Sequence, residues 1–324
     1  MNSLERLAEI QIYLEENLDS EEKHKLYFEQ GLILAQNSDY EEAITAFDYA
    51  LTFKPDLHDA WNNRGIALSN LGRYEEALVS YDNALKIEPD DPQAWNNRGV
   101  ALGNLGRLEE EIALYNKVLQ IEPDDHEVWY NRGIALSDLG RLEEAISSYD
   151  KALKIKPNDY KAWNNRGVAL ENLGRLEEAI SSYDKALKIK LDDYEAWNNR
   201  GVALENLGRL EEAISSYDKA LKIKPDKHEA WFNRGIALDD LGKYEEAITS
   251  FDNALRIEPD YHDAYYKKAC IYALQENISL AIENLTQAIS LDAKYLEMAK
   301  TDTDFDKICH DSRFIELLNQ SNSP

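Results

Sequence analysis

The stretch AWNNRGVALENLGRLEEAISSYDKALKIK occupies residues 162–190 and recurs letter for letter at 196–224, 34 residues further on. A duplicated block of this kind sets a ruler, and the ruler extends outward in both directions. Tryptophan stands at Trp61, Trp95, Trp129, Trp163, Trp197 and Trp231, and the same column is filled by Tyr27 before the series and Tyr265 after it. A 34-residue step is the period of stacked helix-turn-helix units.

Other columns keep the same step. Gly31, Gly65, Gly99, Gly133, Gly167, Gly201 and Gly235 follow the aromatic residue inside the first helix of each unit. Glycine there costs about 1 kcal/mol of helix propensity, so close approach of the second helix is the expected requirement. A second column, Gly72, Gly106, Gly140, Gly174, Gly208 and Gly242, falls where the apolar pattern of the first helix stops and reads as a left-handed C-terminal cap. Gly103 belongs to neither column. Paired acids such as Glu75 and Glu76 open the second helix at its positive end. Ala77, Leu78, Tyr81, Ala84 and Leu85 then recur at helical spacing and predict one buried stripe. Pro55, Pro89, Pro123, Pro157, Pro225 and Pro259 close the units, since helices tend to stop before proline.

The ordered aromatic, Gly, Ala, aromatic, Ala and Pro columns resemble the tetratricopeptide repeat family, and most closely its bacterial members carrying Trp-Asn-Asn-Arg-Gly. The resemblance implies an all-α fold, a right-handed superhelical solenoid of about eight helix-turn-helix units at 24–57, 58–91, 92–125, 126–159, 160–193, 194–227, 228–261 and 262–295. Departures fall at Leu191 in the proline column, at Glu111 and Val118 in alanine columns, and at Ala269 and Glu276 in the two glycine columns of the last unit. The stripe Leu4, Leu7, Ile10, Leu14 and Leu18 predicts an N-terminal capping helix within 1–23, and residues 296–324 predict a C-terminal capping helix and tail.

Composition bounds the function. The chain has 324 residues, 44% hydrophobic and 30% charged, enough apolar material for a core. Its net charge of −26 repels phosphate backbones, so neither nucleic acid nor membrane insertion is expected, and a protein or peptide with basic residues fits better. Cys270 and Cys309 form no metal or redox motif, and no apolar run suits secretion, so a cytoplasmic protein is expected. His24, His58, His126, His228 and His262 all fall in links between units, too far apart for one metal. No phosphate-cradling loop or catalytic triad interrupts the repeats, which predicts no cofactor and no enzyme activity.

The resemblance also places the first helix of each unit on a concave face. There Asn63, Asn97, Asn131, Asn165, Asn199 and Asn233 form a ladder whose amides could pair with an extended peptide backbone, similar to the ladder in the repeats of O-linked N-acetylglucosamine transferase. Beside it Tyr130, Phe232 and Tyr266 replace a second column of asparagines, Asn62, Asn96, Asn164 and Asn198, and are candidate anchors. Glu171, Glu205, Asp239 and Asp240 would favour Lys or Arg on the partner. Arg64, Arg98, Arg132, Arg166, Arg200 and Arg234 sit at the edge of the helix packing and need partners, for which Asp48, Asp82, Asp150, Asp184, Asp218 and Asp252 are candidates. The expected function is a peptide-binding adaptor or assembly scaffold. The alternative is a structural protein that self-associates through its convex face or ends.

Overall fold

The computed structural model describes residues 3–15 and 18–319, and every regular element among them is helical. The chain divides into two compact units, Met1–Pro157 and Asn158–Pro324. The first holds α1 (Ser3–Leu14), α2 (Ser20–Gln36), α3 (Tyr40–Phe53), α4 (His58–Asn70), α5 (Tyr74–Ile87), α6 (Pro92–Asn104), α7 (Leu108–Ile121), α8 (His126–Asp138) and α9 (Leu142–Ile155). The second holds α10 (Tyr160–Asn172), α11 (Leu176–Ile189), α12 (Tyr194–Asn206), α13 (Leu210–Ile223), α14 (His228–Asp240), α15 (Tyr244–Ile257), α16 (His262–Leu274), α17 (Ile278–Leu291), α18 (Lys294–Ala299) and α19 (Ser312–Asn319), with a 3-10 turn over Thr303–Ile308. Within each unit consecutive helices pair as hairpins, and the second helix of one hairpin packs on the first helix of the next.

Local chemistry sets both ends of the first helices. The side chains of Asp91, Asp125, Asp159 and Asp193 accept backbone N–H bonds at the starts of α6, α8, α10 and α12. At the C-terminal ends Gly72 through Gly242 hold φ between 70° and 76°. Ser38 and Glu276 take the same left-handed turn at φ 69° and 60° in the first and last hairpins, where no glycine is present.

The glycine column inside the first helices has a steric cause. A Cβ on Gly133 would stand 2.5 Å from the Tyr149 ring, and Gly65 meets Tyr81 at the same distance. In α16 the column carries Ala269, and the ring column carries Leu285. An aliphatic side chain leaves the room a Cβ needs, and both residues are fully buried in one cluster.

Tryptophan ties the turns between hairpins. The indole N–H of Trp61, Trp95, Trp129 and Trp231 donates to the carbonyl of Pro55, Pro89, Pro123 and Pro225. Trp197 makes the same bond, 2.8 Å, to Leu191. The bond uses only the backbone carbonyl, so leucine replaces proline there without losing it.

Of the N-terminal segment, Met1, Asn2, Glu16 and Asn17 lie outside the described residues, as do residues 320–324 of the tail. Ile10 of α1 is fully buried, whereas Leu4 is 69% exposed and stands off the expected apolar stripe. Arg6 clasps Glu29 of α2 with two bonds of 2.7 and 2.9 Å. α2 itself begins at Ser20, ahead of residue 24, because Asp19 and Glu22 form a capping box. At the other end Tyr295, Phe305, Phe314 and Leu317 pack with Tyr266 and Cys270 into the core of the last hairpin.

Candidate binding face on the first helices

The six ladder asparagines are all partly buried on the first helices. Several of their amide groups are already engaged across hairpins. Asn97 donates to the Oδ1 of Asn62 at 3.1 Å, Asn131 to Asn96 at 2.8 Å and Asn199 to Asn164 at 3.4 Å. The two asparagine columns therefore zip neighbouring first helices together, and the amide donors are partly spent on structure. Asn63 instead turns back to the Asp59 carbonyl. The zipper is interrupted at Asn198, whose Oδ1 is buried without a partner. A carbonyl held by its own amide in this way is a pre-oriented acceptor.

The three aromatic candidates differ in placement. Tyr130 packs against Tyr149, with ring centroids 6.1 Å apart, and stays partly exposed. Phe232 also stays partly exposed but lies between Phe251 and Tyr261, at 5.5 and 5.0 Å. Tyr266 is only 4% exposed, stacked on Tyr295 at 4.8 Å, and donates its hydroxyl to Asp302 at 2.6 Å. The expectation of Tyr266 as an open anchor is corrected: the segment after α17 covers it, and it is a core residue.

The arginine column is a set of latches. Arg200 donates Nε to Asp184 and Nη1 to Ser216, both at 2.7 Å, joining the preceding second helix to its own. Arg64 does the same with Asp48 and Ser80, and Arg234 with Asp218 and Ser250. Arg98 reaches Asp82 alone, because Leu114 stands in the serine column. Arg132 pairs with Asn116 in place of an aspartate. Lys268 completes the series on Asp252.

Behind the ladder four of the buried tyrosine hydroxyls meet a partner from the first helix of their own hairpin. Tyr81 meets Ser69 and Tyr149 meets Ser137, while Tyr183 donates to Glu171 at 2.7 Å and Tyr217 to Glu205 at 2.8 Å. Burial holds the Glu171 and Glu205 carboxyls above their ordinary range despite these hydroxyls, and pushes Asp239 up to about 6. The acidic floor is thus partly engaged internally.

The histidines do not converge on one point: His58 faces Glu88, His126 faces Lys156 and His262 faces Tyr295. Among the described residues one group of metal-capable side chains does assemble, Cys270 with Asp302 and Asp304. Burial, and after it the carboxylates of Asp302 and Asp304, push the Cys270 thiol well above its ordinary value. Sequence reasoning missed this trio because Cys270 and Asp302 belong to different elements.

Hairpins stacked in this way, with side chains offered in register from each first helix, define a helical-repeat scaffold of the kind built for protein interaction. Models described as tetratricopeptide repeat match residues 92–125, 120–160, 130–190, 194–227, 228–261 and 262–295, and one described as TPR repeat matches 31–72 and 70–106. The chain belongs to the tetratricopeptide repeat family. A protein prenyltransferase alpha subunit repeat model also matches 176–207, within the same helices. Among solved structures, YrrB, a TPR protein with an unusual peptide-binding site, is 26% identical at a TM-score of 0.51, covering 57% of this chain and 97% of its own. A tetratricopeptide repeat protein from Parabacteroides merdae is 20% identical at 0.58, covering 80% and 99%. MamA is 25% identical at 0.50, covering 52% and 92%. Comparison with curated proteins gives no match. No helix among the described residues is long and apolar enough to cross a membrane.

Proposed function

We propose that the chain is an adaptor that holds an extended segment of another protein along the first-helix face of its units. The observation that carries the reading is the row of asparagine amides fixed by neighbouring hairpins, as at Asn97 and Asn131, which leaves their carbonyl oxygens as oriented acceptors. Such acceptors suit the backbone N–H groups of an extended peptide, whatever its sequence. The printed description of YrrB as a peptide-binding TPR protein supports the same use of the fold. Each backbone bond adds about 1 kcal/mol net, so the ladder residues of either unit amount to roughly 3 kcal/mol, short of the roughly 8 of a micromolar complex. Side-chain contacts to Tyr130 and Phe232 and to the acidic floor supply the remainder.

The test uses an array of extended peptides and their backbone N-methylated counterparts. N-methylation removes the donors and should weaken binding several-fold. Asn233→Ala should do the same without lowering thermal stability, because no bond joins Asn233 to the hairpin before it. Binding indifferent to both changes would remove the first-helix face as the site. Light scattering over a concentration series reports on the self-associating alternative, for which a strict monomer would be decisive.

A further inference from the structure

The third hairpin, α6 with α7, departs from its neighbours at two positions that fit each other. In the first-helix column that carries Ser69, Ser137, Glu171 and Glu205 it has Gly103. In the second-helix column that carries alanine in every other hairpin it has Glu111. A Cβ on Gly103 would stand 2.6 Å from a carboxylate oxygen of Glu111. The absent side chain is the space into which the carboxylate folds. A carboxylate thus reaches the buried tyrosine here too, but from the opposite helix.

The exchange leaves polar groups unsettled. In the fifth and sixth hairpins the tyrosine hydroxyl donates to the carboxylate. Here the Tyr115 hydroxyl stands beside Glu111 and favours its ionised form, yet it completes no hydrogen bond of sound geometry, although Tyr115 is fully buried. Glu111 is 6% exposed, and among the described residues no lysine or arginine contributes to its electrostatics. Both side chains line a cavity of about 280 Å³ whose walls include Val100, Ile134 and Asp138. An uncompensated buried carboxylate beside an unpartnered buried hydroxyl, opening on a cavity, is a site shaped for a cation.

We infer that this cavity receives the ammonium group of a lysine side chain from the bound segment, with Glu111 as its counter-ion. The inference rests on the first-helix face being the docking surface. An ammonium carries three donors, and the carboxylate oxygens of Glu111 and Asp138 on the cavity wall offer acceptors for them, with the Tyr115 hydroxyl behind Glu111. The lysine stem would lie along Val100 and Ile134. A guanidinium would bring five donors in a rigid fork and leave some of them unpaired. Burial, with the charge of Asp138 from α8 adding to it and Tyr115 from α7 opposing it, raises the Glu111 carboxyl to about 7, and α6 faces it with Gly103. Cation uptake near neutral pH is therefore coupled to proton release.

The experiment is carboxyl ¹³C NMR on the full chain, with Glu111 assigned through E111Q, n-butylammonium as probe and n-butanol as the uncharged control. Butylammonium is expected to lower the Glu111 titration midpoint by about one pH unit, tenfold in proton affinity, while butanol leaves it in place. E111A restores the alanine of the other hairpins and should abolish the saturable probe shifts at Tyr115 and Asp138. A midpoint unmoved by butylammonium, or probe shifts that survive E111A, overturns the assignment. The probe is too small to span the asparagine ladder, so failure of the ladder variants with a positive probe result rejects the docking surface and keeps the cation site. The reverse pattern rejects the cation site alone.

Discussion

Removing the charge at position 111 should stabilise the protein, and by an amount that depends on pH. The Glu111 carboxyl sits at about 7 in the folded chain against an ordinary 4.5, chiefly because burial disfavours the anion. As pH rises the unfolded chain gives up this proton first, so the stability the proton confers is complete below about 4.5 and is lost as pH climbs to 7. A 2.5-unit displacement corresponds to about 3 kcal/mol at most. Glu111→Gln keeps the shape and deletes the charge. Relative to the native chain it should gain about 1 kcal/mol at pH 5 and about 3 kcal/mol at pH 8, since the two titrations overlap only in that window. Urea unfolding followed by circular dichroism at both pH values measures the gap, and amide hydrogen exchange in α6 and α7 localises it to the hairpin that holds the charge. Comparing the same pair at two pH values cancels the titration of the other acids. A gap of equal size at pH 5 and pH 8, or a variant less stable at pH 8, would refute a buried and unpaired carboxylate.

Gly133→Ala should lower stability by about 2 kcal/mol, because its Cβ would lie 2.5 Å from the Tyr149 ring and the ring must move; thermal melting reads the loss. Glu276→Gly should raise stability by about 1 kcal/mol by relieving a φ of 60° that side chains resist, seen as a higher urea midpoint. Arg200→Met breaks the bonds to Asp184 and Ser216 and should cost about 2 kcal/mol, with increased amide exchange concentrated in α11 through α13.

The repeat was legible because its signals are local or strictly periodic. Gly72 and its column announce a left-handed turn from residue type alone, and the inner glycines announce a close approach, although only the structure shows Tyr81 and Tyr149 as the groups approached. The arginine latches were half legible, since charge demands a partner and an aspartate column was at hand. The asparagine zipper was not. Asn62 and Asn97 lie 35 residues apart, and whether an amide faces a partner peptide or the next hairpin is decided by the stacking. Tyr266 misled for a related reason: its column predicts an open face, but the chain after α17 turns back over it. Gly103 and Glu111 each stood out as an irregularity of the third hairpin. Only in space do the two become one feature, a carboxylate moved from one helix to the other with the room made for it.

The tryptophan bonds bear on how quickly the chain folds. Each indole reaches a carbonyl only six residues upstream, so the contact closes a short loop before any distant part of the chain is needed. Loops of that size close in about 10–100 ns, far faster than long-range pairing. Folding can then nucleate at any hairpin and spread to its neighbours, and low contact order favours speed. In stopped-flow measurements the indole fluorescence should change ahead of the signals from the Arg200 and Arg234 latches, which bridge separate hairpins.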